Sequence, residues 1–550
     1  MKKNLTVWNL FSVVILAAFA LFIMYPIFLI LYRSVIHGDT GVLTLQNFVH
    51  FFAKKFYWGT MVNSLKVTVV STILSAALGL PLAYLMRSVK IKGSSFLNIL
   101  IVISYLSPPF IGAYAWIQML GRQGVITQFL NDTFGLHYGG VYGFAGIVLV
   151  FTLQSFPLVY IYVSGALKNL DNSLNEAAES LGCSRMGRIW KIIVPLVMPT
   201  LLASSMLVFM RVFADFGTPM LIGEGYKTLP VLIYNQFMGE VSGDDGFAAA
   251  ICCIVIGLTI VMFFVQRFLA GRNTYAMTAL KPMAAESLSG LRNILAHLAV
   301  YMVVGLAILP QFVVVYTSFL ATNGGQVFTG GFALQSYDAT LFAKDNDVIW
   351  HTYFLGLCAI AAVLVLGVLI AYLSVRKRNT LNSILDVITM FPFIIPGSVL
   401  GIAFVFAFNK SPIILTGTAL IMIISFAVRR MPYTVRSSTA ILGNISPSIE
   451  EAAISLGASD MTTFRKITVP MMMPGVLSGA IMSWVTIISE LSSSIILYTN
   501  STQTLTVSIY TEVIRGNYGN ASAYATILTV TSILSLLLFY KVTGRRDVSV

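Results

Sequence analysis

Two acidic side chains, Asp215 and Glu490, each lie within a long apolar stretch of the sequence. They are 275 residues apart, which is also the separation between two copies of a repeated motif, so the acids occupy equivalent positions. An ionisable group in an apolar span is energetically costly and usually faces a cavity or a charged partner. We therefore expect the two carboxylates to flank a shared path. Arg211 precedes Asp215 by four residues and could instead neutralise it on the same helix face, whereas Thr486 occupies the equivalent position before Glu490.

The rest of the sequence contains no pattern typical of an enzyme or a metal centre. The five histidines are scattered, and neither a carboxylate pair of the catalytic kind nor an H-E-x-x-H helix is present. The four cysteines form no disulfide or metal framework, since two of them are adjacent. No G-x-x-x-x-G-K-(S/T) phosphate loop occurs, so we expect ATP to be bound by another chain. We expect no catalytic residue, metal site or cofactor in this one.

The composition is that of a membrane protein. Hydrophobic residues make up 57% of the 550 positions and charged residues only 10%, and the mean hydropathy is +0.85. A soluble chain of this size does not have such a composition, so its apolar surface is expected to lie in lipid. The net charge of +13 is explained by lysines and arginines that hold loops on the cytoplasmic side of the membrane. We expect no nucleic-acid partner.

A segment of 26 residues occurs twice. Residues 174–199 read LNEAAESLGCSRMGRIWKIIVPLVMP, and residues 449–474 read IEEAAISLGASDMTTFRKITVPMMMP. Fourteen of the 26 aligned positions are identical, so the chain consists of two copies of one unit. Each copy lies in a polar break between apolar runs.

Each copy predicts a helix, a sharp bend and a second helix. A serine followed three residues later by glutamate predicts a capping box at the start of the first helix. Gly182 and Gly457 can end that helix because glycine tolerates a left-handed conformation. A further serine can cap the second helix, which is predicted to run up to a proline. The residues are Ser173, Glu176, Ser184 and Pro195 in the first copy, and Ser448, Glu451, Ser459 and Pro470 in the second.

The pattern E-A-A, three residues, G, nine residues, I-x-(L/V)-P resembles the cytoplasmic signature of permease subunits in binding-protein-dependent ABC importers. In that family the short helix is the coupling helix, which docks in a cleft of an ATP-binding subunit. The resemblance implies that two copies of an ABC ATP-binding subunit bind ATP and Mg, and that an extracytoplasmic binding protein delivers the substrate. The coupling residues it implies are Glu176, Ala177, Ala178 and Gly182, and Glu451, Ala452, Ala453 and Gly457.

The predicted fold is an all-α polytopic membrane protein with about twelve transmembrane helices in two tandem parallel repeats of about six. The units are residues 1–270 and 293–550, joined by a cytoplasmic linker at 271–292. The fourth span of the second unit is predicted near 412–430. We expect the bacterial cytoplasmic (inner) membrane as the location, with both termini cytoplasmic.

Paired prolines are predicted to shape the spans. Pro157 with Pro432, Pro195 with Pro470, and Pro199 with Pro474 stand at equivalent positions beside the motifs and predict kinks or helix ends. Proline is also found inside the third span of each unit, at 107–109 and 393–396, where it is expected to interrupt a buried helix.

The cargo is predicted from resemblance alone. The stretches FADFGTPMLIG and TLPVLIY resemble fused permeases for ferric iron, a hard cation that favours oxygen ligands such as Asp215 and Glu490. Importers of thiamine, aminoethylphosphonate and sugar phosphates are similar and remain alternatives. An ion-driven secondary transporter of the major facilitator type is the alternative class, but the loop RSVKIKGS lacks the aspartate and paired glycine pattern of its usual basic motif.

Overall fold

The computed structural model describes residues 7–36, 41–135, 139–239, 245–270, 285–323, 327–342 and 347–543. We call residues 7–270 the first unit and residues 285–543 the second unit. Most of the predicted linker, residues 271–284, lies outside the described residues. The helices of the first unit are α1 (Val7–Phe19), α2 (Tyr25–Ser34), α3 (Gln46–Ala53), α4 (Lys55–Ser88), α5 (Ser94–Leu106), α6 (Pro109–Leu120), α7 (Val125–Phe134), α8 (Gly143–Lys168), α9 (Ser173–Ser180), α10 (Arg185–Arg188), α11 (Val194–Ala214), α12 (Gly217–Ile222), α13 (Leu229–Met238) and α14 (Asp245–Ala270).

The second unit largely repeats this order, but its described residues include no helix equivalent to α7, and it adds a β-hairpin after its first helix. In the hairpin Leu320 pairs with Phe332 and Asn323 pairs with Val327, in antiparallel register. The elements are α15 (Gly290–Ser318), β1 (Leu320–Asn323), β2 (Val327–Phe332), α16 (Gln335–Leu341), α17 (Val348–Val375), α18 (Thr380–Ile388), α19 (Phe391–Ile394), α20 (Gly397–Phe408), α21 (Ala419–Asn444), α22 (Ser448–Ser455), α23 (Asp460–Thr463), α24 (Val469–Ile488), α25 (Ser494–Leu497), α26 (Leu505–Arg515) and α27 (Tyr518–Thr543).

The all-α polytopic fold is confirmed. Within the described ranges, nine helices are long and apolar enough to cross a membrane, and two bent helix pairs raise the number to eleven. Helix α21 would be the twelfth, but it is not one of these candidates because it carries Arg429, Arg430 and Arg436. It is the counterpart of α8, since Pro432 and Pro157 lie inside these two helices at equivalent positions.

The third span of each unit is broken where proline was predicted to interrupt it. Helices α5 and α6 meet at 100° beside Pro108, and the pair α18–α19 meets α20 at 110° beside Pro396. A proline removes one backbone donor and clashes with the preceding turn, and these breaks lie where neighbouring helices can satisfy the freed groups.

The second helix of each motif does not end at Pro195 or Pro470, contrary to the sequence prediction. A π-helical turn precedes each proline, at Ile189–Ile193 and Phe464–Thr468, and the helix then continues into α11 or α24. The wider turn gives the proline ring room against the preceding carbonyl, so the motif helix and the fifth span form one continuous rod. Pro199 and Pro474 also lie inside these helices.

The same three-helix packing forms the centre of both units. In the first unit α4, α8 and α11 pack together, and in the second unit α17, α21 and α24 do so. Glycine allows the closest approach: a Cβ at Gly79 would lie 2.7 Å from Val159 Cβ, and one at Gly367 would lie 2.9 Å from Thr434 Cγ2. Small residues at helix crossings are how membrane helices approach each other closely.

The first helix of each unit packs against the other unit. Helix α1 contacts α17 and α18: the Trp8 ring lies 4.8 Å from the Tyr372 ring, and Ser12 donates a hydrogen bond of 2.6 Å to Asn382. In return, α15 packs against α5 and α6 of the first unit. The two units are therefore interlocked by an exchange of their first helices.

Candidate functional site

The two repeated motifs fold into the same helix–bend–helix structure. Helices α9 and α22 each end at a glycine in the left-handed conformation, with φ of +77° at Gly182 and +89° at Gly457. The Cys183 N–H donates to Ala178 O at 3.0 Å, and the Ala458 N–H donates to Ala453 O at 3.1 Å. The glycine N–H groups donate to the carbonyls three residues earlier, Glu179 and Ile454, both at 2.9 Å. Together these hydrogen bonds form a Schellman motif at the end of both helices, as the glycines predict.

The helix starts differ from the sequence prediction in one respect. Ser184 and Ser459 cap the second helices as predicted, each accepting a hydrogen bond of 3.2 Å from the backbone N–H three residues later. The predicted capping boxes at Ser173 and Ser448 do not form in the described loops. Each of these serines is already the first helical residue, and Asn172 or Pro447 occupies the cap position.

Each bend exposes a leucine at its tip. Leu181 is 88% exposed and Leu456 is 89% exposed, although both belong to the apolar stripe of their helix. The motif residues Glu176, Ala177 and Gly182 are exposed, as are Glu451, Ala452 and Gly457, while Ala178 is half-buried and Ala453 is buried. An apolar tip on an otherwise polar loop is typical of a surface that binds another protein.

The two motif loops form different ion pairs. Arg376, just after α17, donates at 3.0 Å to Glu450 of α22 and at 2.7 Å to the Ile445 carbonyl, and both charged side chains are largely buried. In the first unit Arg188 pairs at 2.6 Å with Glu179, whose side chain is 64% exposed. The second loop is therefore tied to the end of α17 by a largely buried ion pair, whereas the exposed pair of the first unit joins the two helices of its motif.

The helix of the fifth span in each unit, α11 or α24, ends at one of the two predicted acids. Asp215 follows α11 and accepts a hydrogen bond of 2.9 Å from the Thr218 N–H, and Glu490 follows α24 and accepts one of 3.2 Å from the Ser493 N–H. Each carboxylate thus satisfies a backbone donor at the start of the short segment that follows. The predicted equivalence of the two acids holds for their local structure.

The acid of the second unit lies between two arginines that the sequence analysis missed. Glu490 is only 3% exposed and forms ion pairs with Arg429 and Arg430 of α21. The broken third span comes close to the same cluster, since a Cβ at Gly397 would lie 2.3 Å from Arg429 Nη1. Only glycine leaves room there for the guanidinium group.

Among the described residues, Asp215 of the first unit has no such pair of arginines, which we call the arginine clamp of Glu490. The predicted neutralisation of Asp215 by Arg211 is not seen as an ion pair, because the Arg211 guanidinium lies 4.7 Å from the centre of the Tyr105 ring, a cation–π contact. The Tyr105 hydroxyl is also within electrostatic range of Arg430, across the boundary between the units. Asp215 lies within electrostatic range of Glu490. The structure therefore brings Asp215, Arg211 and Glu490 into one central cluster.

Close packing joins the two halves of this cluster. A Cβ at Gly217 would lie 2.8 Å from Phe110 Cβ, at the broken third span of the first unit, and 3.0 Å from Leu491 of the second unit. Phe216 lies 6.0 Å from the Tyr510 ring. The cluster therefore lies at the contact between the units, where a path along the pseudo-two-fold axis would pass.

One feature of the sequence could have identified Arg429 and Arg430 as site residues. Because the fourth span of the second unit was predicted at 412–430, Arg429 and Arg430 were placed at its end, whereas α21 runs from Ala419 to Asn444 and holds them mid-helix. The 275-residue offset gives Gln154 and Ser155 as their counterparts, so the repeat itself does not predict a charge there. Two adjacent arginines within a predicted span were the signal.

The fold and the two motif loops define a polytopic transport subunit built from two equivalent units. Residues 75–275 and 363–546 match the family described as the binding-protein-dependent transport system inner membrane component. The chain belongs to this family and is a permease component of an ABC importer, a multi-pass membrane transport protein and not an enzyme.

Several permeases resemble this chain. A ferric transport system permease protein of Actinobacillus pleuropneumoniae is 30% identical over 97% of this chain and 78% of its own length. A molybdenum transport system permease protein of Escherichia coli is 28% identical over 39% of this chain and 93% of its own length. A putative 2-aminoethylphosphonate transport system permease protein of Salmonella choleraesuis is 26% identical over 48% of this chain and 92% of its own length.

Proposed function

We propose that this chain forms the transmembrane pathway of a ferric iron importer. An extracytoplasmic binding protein delivers the iron, and two copies of an ATP-binding subunit, which hold ATP and Mg, dock on the two motif loops. The chain itself carries no cofactor. Both termini and both motif loops face the cytoplasm of a bacterial cell.

The observation that carries the docking proposal is the geometric identity of the two loops. Both place an almost fully exposed leucine, Leu181 or Leu456, immediately before a left-handed glycine. Both loops also continue without interruption into a fifth-span helix that ends at the central acids. A movement of the ATP-binding subunits would therefore be transmitted along a rigid helix to the contact between the units.

The proposal of iron as cargo rests on the extent of the similarity. The relative named for ferric transport covers 97% of this chain, including both units, whereas the relatives named for molybdenum and 2-aminoethylphosphonate cover less than half of it. Thiamine and sugar phosphate remain possible cargoes of the same importer class.

Uptake by the reconstituted importer tests the cargo. The chain, its ATP-binding subunit and its binding protein are placed in proteoliposomes and supplied with labelled ferric iron, molybdate or 2-aminoethylphosphonate, with and without ATP. We expect ATP-dependent accumulation of iron. Accumulation of one of the other two cargoes without iron would show that the proposed cargo is wrong.

A further inference from the structure

The central cluster between the two units carries a net positive charge. It contains three guanidinium groups, on Arg211, Arg429 and Arg430, but only two carboxylates, Asp215 and Glu490. Glu490 is buried behind its two arginines at 3% exposure. The side chains of Arg429 and Arg430 are largely buried but keep 11% and 18% of their surface exposed against 2% for Glu490, so the accessible surface of this part of the cluster is guanidinium and not carboxylate.

The arginines of the cluster have N–H donors that their ion pairs do not use. A guanidinium group has five N–H donors, and the bonds to Glu490 engage one Nη atom of Arg429 and one of Arg430, so each keeps a second Nη group; their Nε atoms have no hydrogen-bond partner among the described residues but are buried. Arg211 contacts an aromatic face and no carboxylate. Tyr105 and Tyr433 lie beside these arginines, are half-buried and add hydroxyl groups to the same surface.

This surface suits an anion better than a bare metal ion. The planar guanidinium fork binds phosphate and carboxylate oxygens through paired hydrogen bonds. A ferric ion without ligands carries three positive charges and would be repelled by three guanidinium groups in a region of low dielectric constant. The two carboxylates offset only two of the three positive charges, so the cluster keeps a net positive charge that repels a bare cation.

We propose that the cargo crosses between the two units as an oxyanion complex, in which phosphate or carboxylate oxygens coordinate the ferric ion. This inference rests on the proposed function, because it specifies the chemical form in which the iron passes. Arg211, Arg429 and Arg430 bind the oxyanion, and Tyr105 and Tyr433 donate hydrogen bonds to it. Asp215 and Glu490 limit the excess positive charge, so that the anion is released.

Double-label uptake tests the chemical form. The complete importer in proteoliposomes is given a binding protein loaded with ⁵⁵Fe in the presence of ³²P-phosphate or ¹⁴C-citrate. We expect one anion label to accumulate with the iron in a constant ratio when ATP is present. Iron that accumulates with neither label would overturn the inference and leave the proposed function intact. If a labelled anion accumulates without iron, the oxyanion pathway is supported but the proposed cargo is wrong.

Variants of Arg211 test the site itself. Arg211→Gln breaks no ion pair, so the protein should fold, and joint uptake should fall about tenfold or more, as expected for one lost charged hydrogen bond. Arg211→Lys keeps the charge and should restore part of the uptake. The matched control is Arg436→Gln on α21, whose half-exposed side chain forms an ion pair with Asp386 at 3.4 Å, outside the cluster; because such an exposed pair contributes little, this variant should have no effect on uptake. Equal uptake in Arg211→Gln and the control would overturn the role of the cluster.

Discussion

At the scale of single residues, the two equivalent acids have the same local role but different surroundings. Each accepts a hydrogen bond from the backbone three residues later, yet only Glu490 also binds two arginines. The sequence predicted the pair because both acids stand at the repeat offset. It could not predict the clamp, because Arg429 and Arg430 belong to another helix and have uncharged counterparts in the first unit. Whether the two acids contact the cargo stays a prediction.

This difference predicts unequal effects of neutralising the two acids. Glu490→Gln leaves two largely buried guanidinium groups without a counter-charge, which typically costs about 3–5 kcal/mol. Asp215→Asn keeps an oxygen that can accept the Thr218 N–H bond and breaks no ion pair, so it is the matched control. Thermal unfolding in detergent should show a marked fall in melting temperature for Glu490→Gln and a small one for Asp215→Asn. Equal melting temperatures of the two variants would contradict a stabilising role for the arginine clamp.

At the scale of elements, the sequence predicted the bends correctly and the helix ends less well. The left-handed glycines, the serine caps at Ser184 and Ser459 and the proline breaks at Pro108 and Pro396 depend on local chemistry, and the structure has each of them. Pro195 and Pro470 were predicted to end helices, but a π-helical turn lets the helix continue. That outcome depends on the packing of the whole rod in the protein, which a local pattern does not encode.

The bend glycines should not tolerate a branched side chain. Gly182→Val or Gly457→Val forces valine into a positive φ, which costs about 1–2 kcal/mol per residue and reorients the exposed leucine. We expect transport to fall several-fold at normal protein levels. Gly165→Val is the matched control, since Gly165 lies in α8 at negative φ with open space beside it. Transport at the wild-type rate in both bend variants would refute the importance of the bend.

At the scale of the whole molecule, two tandem units form one body by exchanging their first helices. The repeat, the composition and the proline pairs were enough to predict an all-α protein of two parallel units. The exchange of α1 and α15 was not predictable, because it depends on apolar contacts such as Trp8 with Tyr372 between residues far apart in the sequence. The hairpin of β1 and β2 was also missed, as it lies in a loop without a strong alternating pattern.

Under the proposed function, the two equivalent motif loops are two docking sites for the subunit that supplies ATP hydrolysis. Leu181 and Leu456 form the exposed tips of these sites, and neither packs within the chain, so replacing them should not disturb the fold. An aspartate at either tip would place an unpaired charge at the centre of the interface, which binding does not tolerate.

The most direct test is native mass spectrometry of the purified chain mixed with its ATP-binding subunit, combined with an assay of ATP hydrolysis. The wild-type chain should hydrolyse no ATP alone, and it should bind two ATP-binding subunits and then support hydrolysis. Leu181→Asp or Leu456→Asp should each reduce the complex to one bound subunit, and the double variant should bind none. Two subunits bound to the double variant, or ATP hydrolysis by the chain alone, would contradict the account.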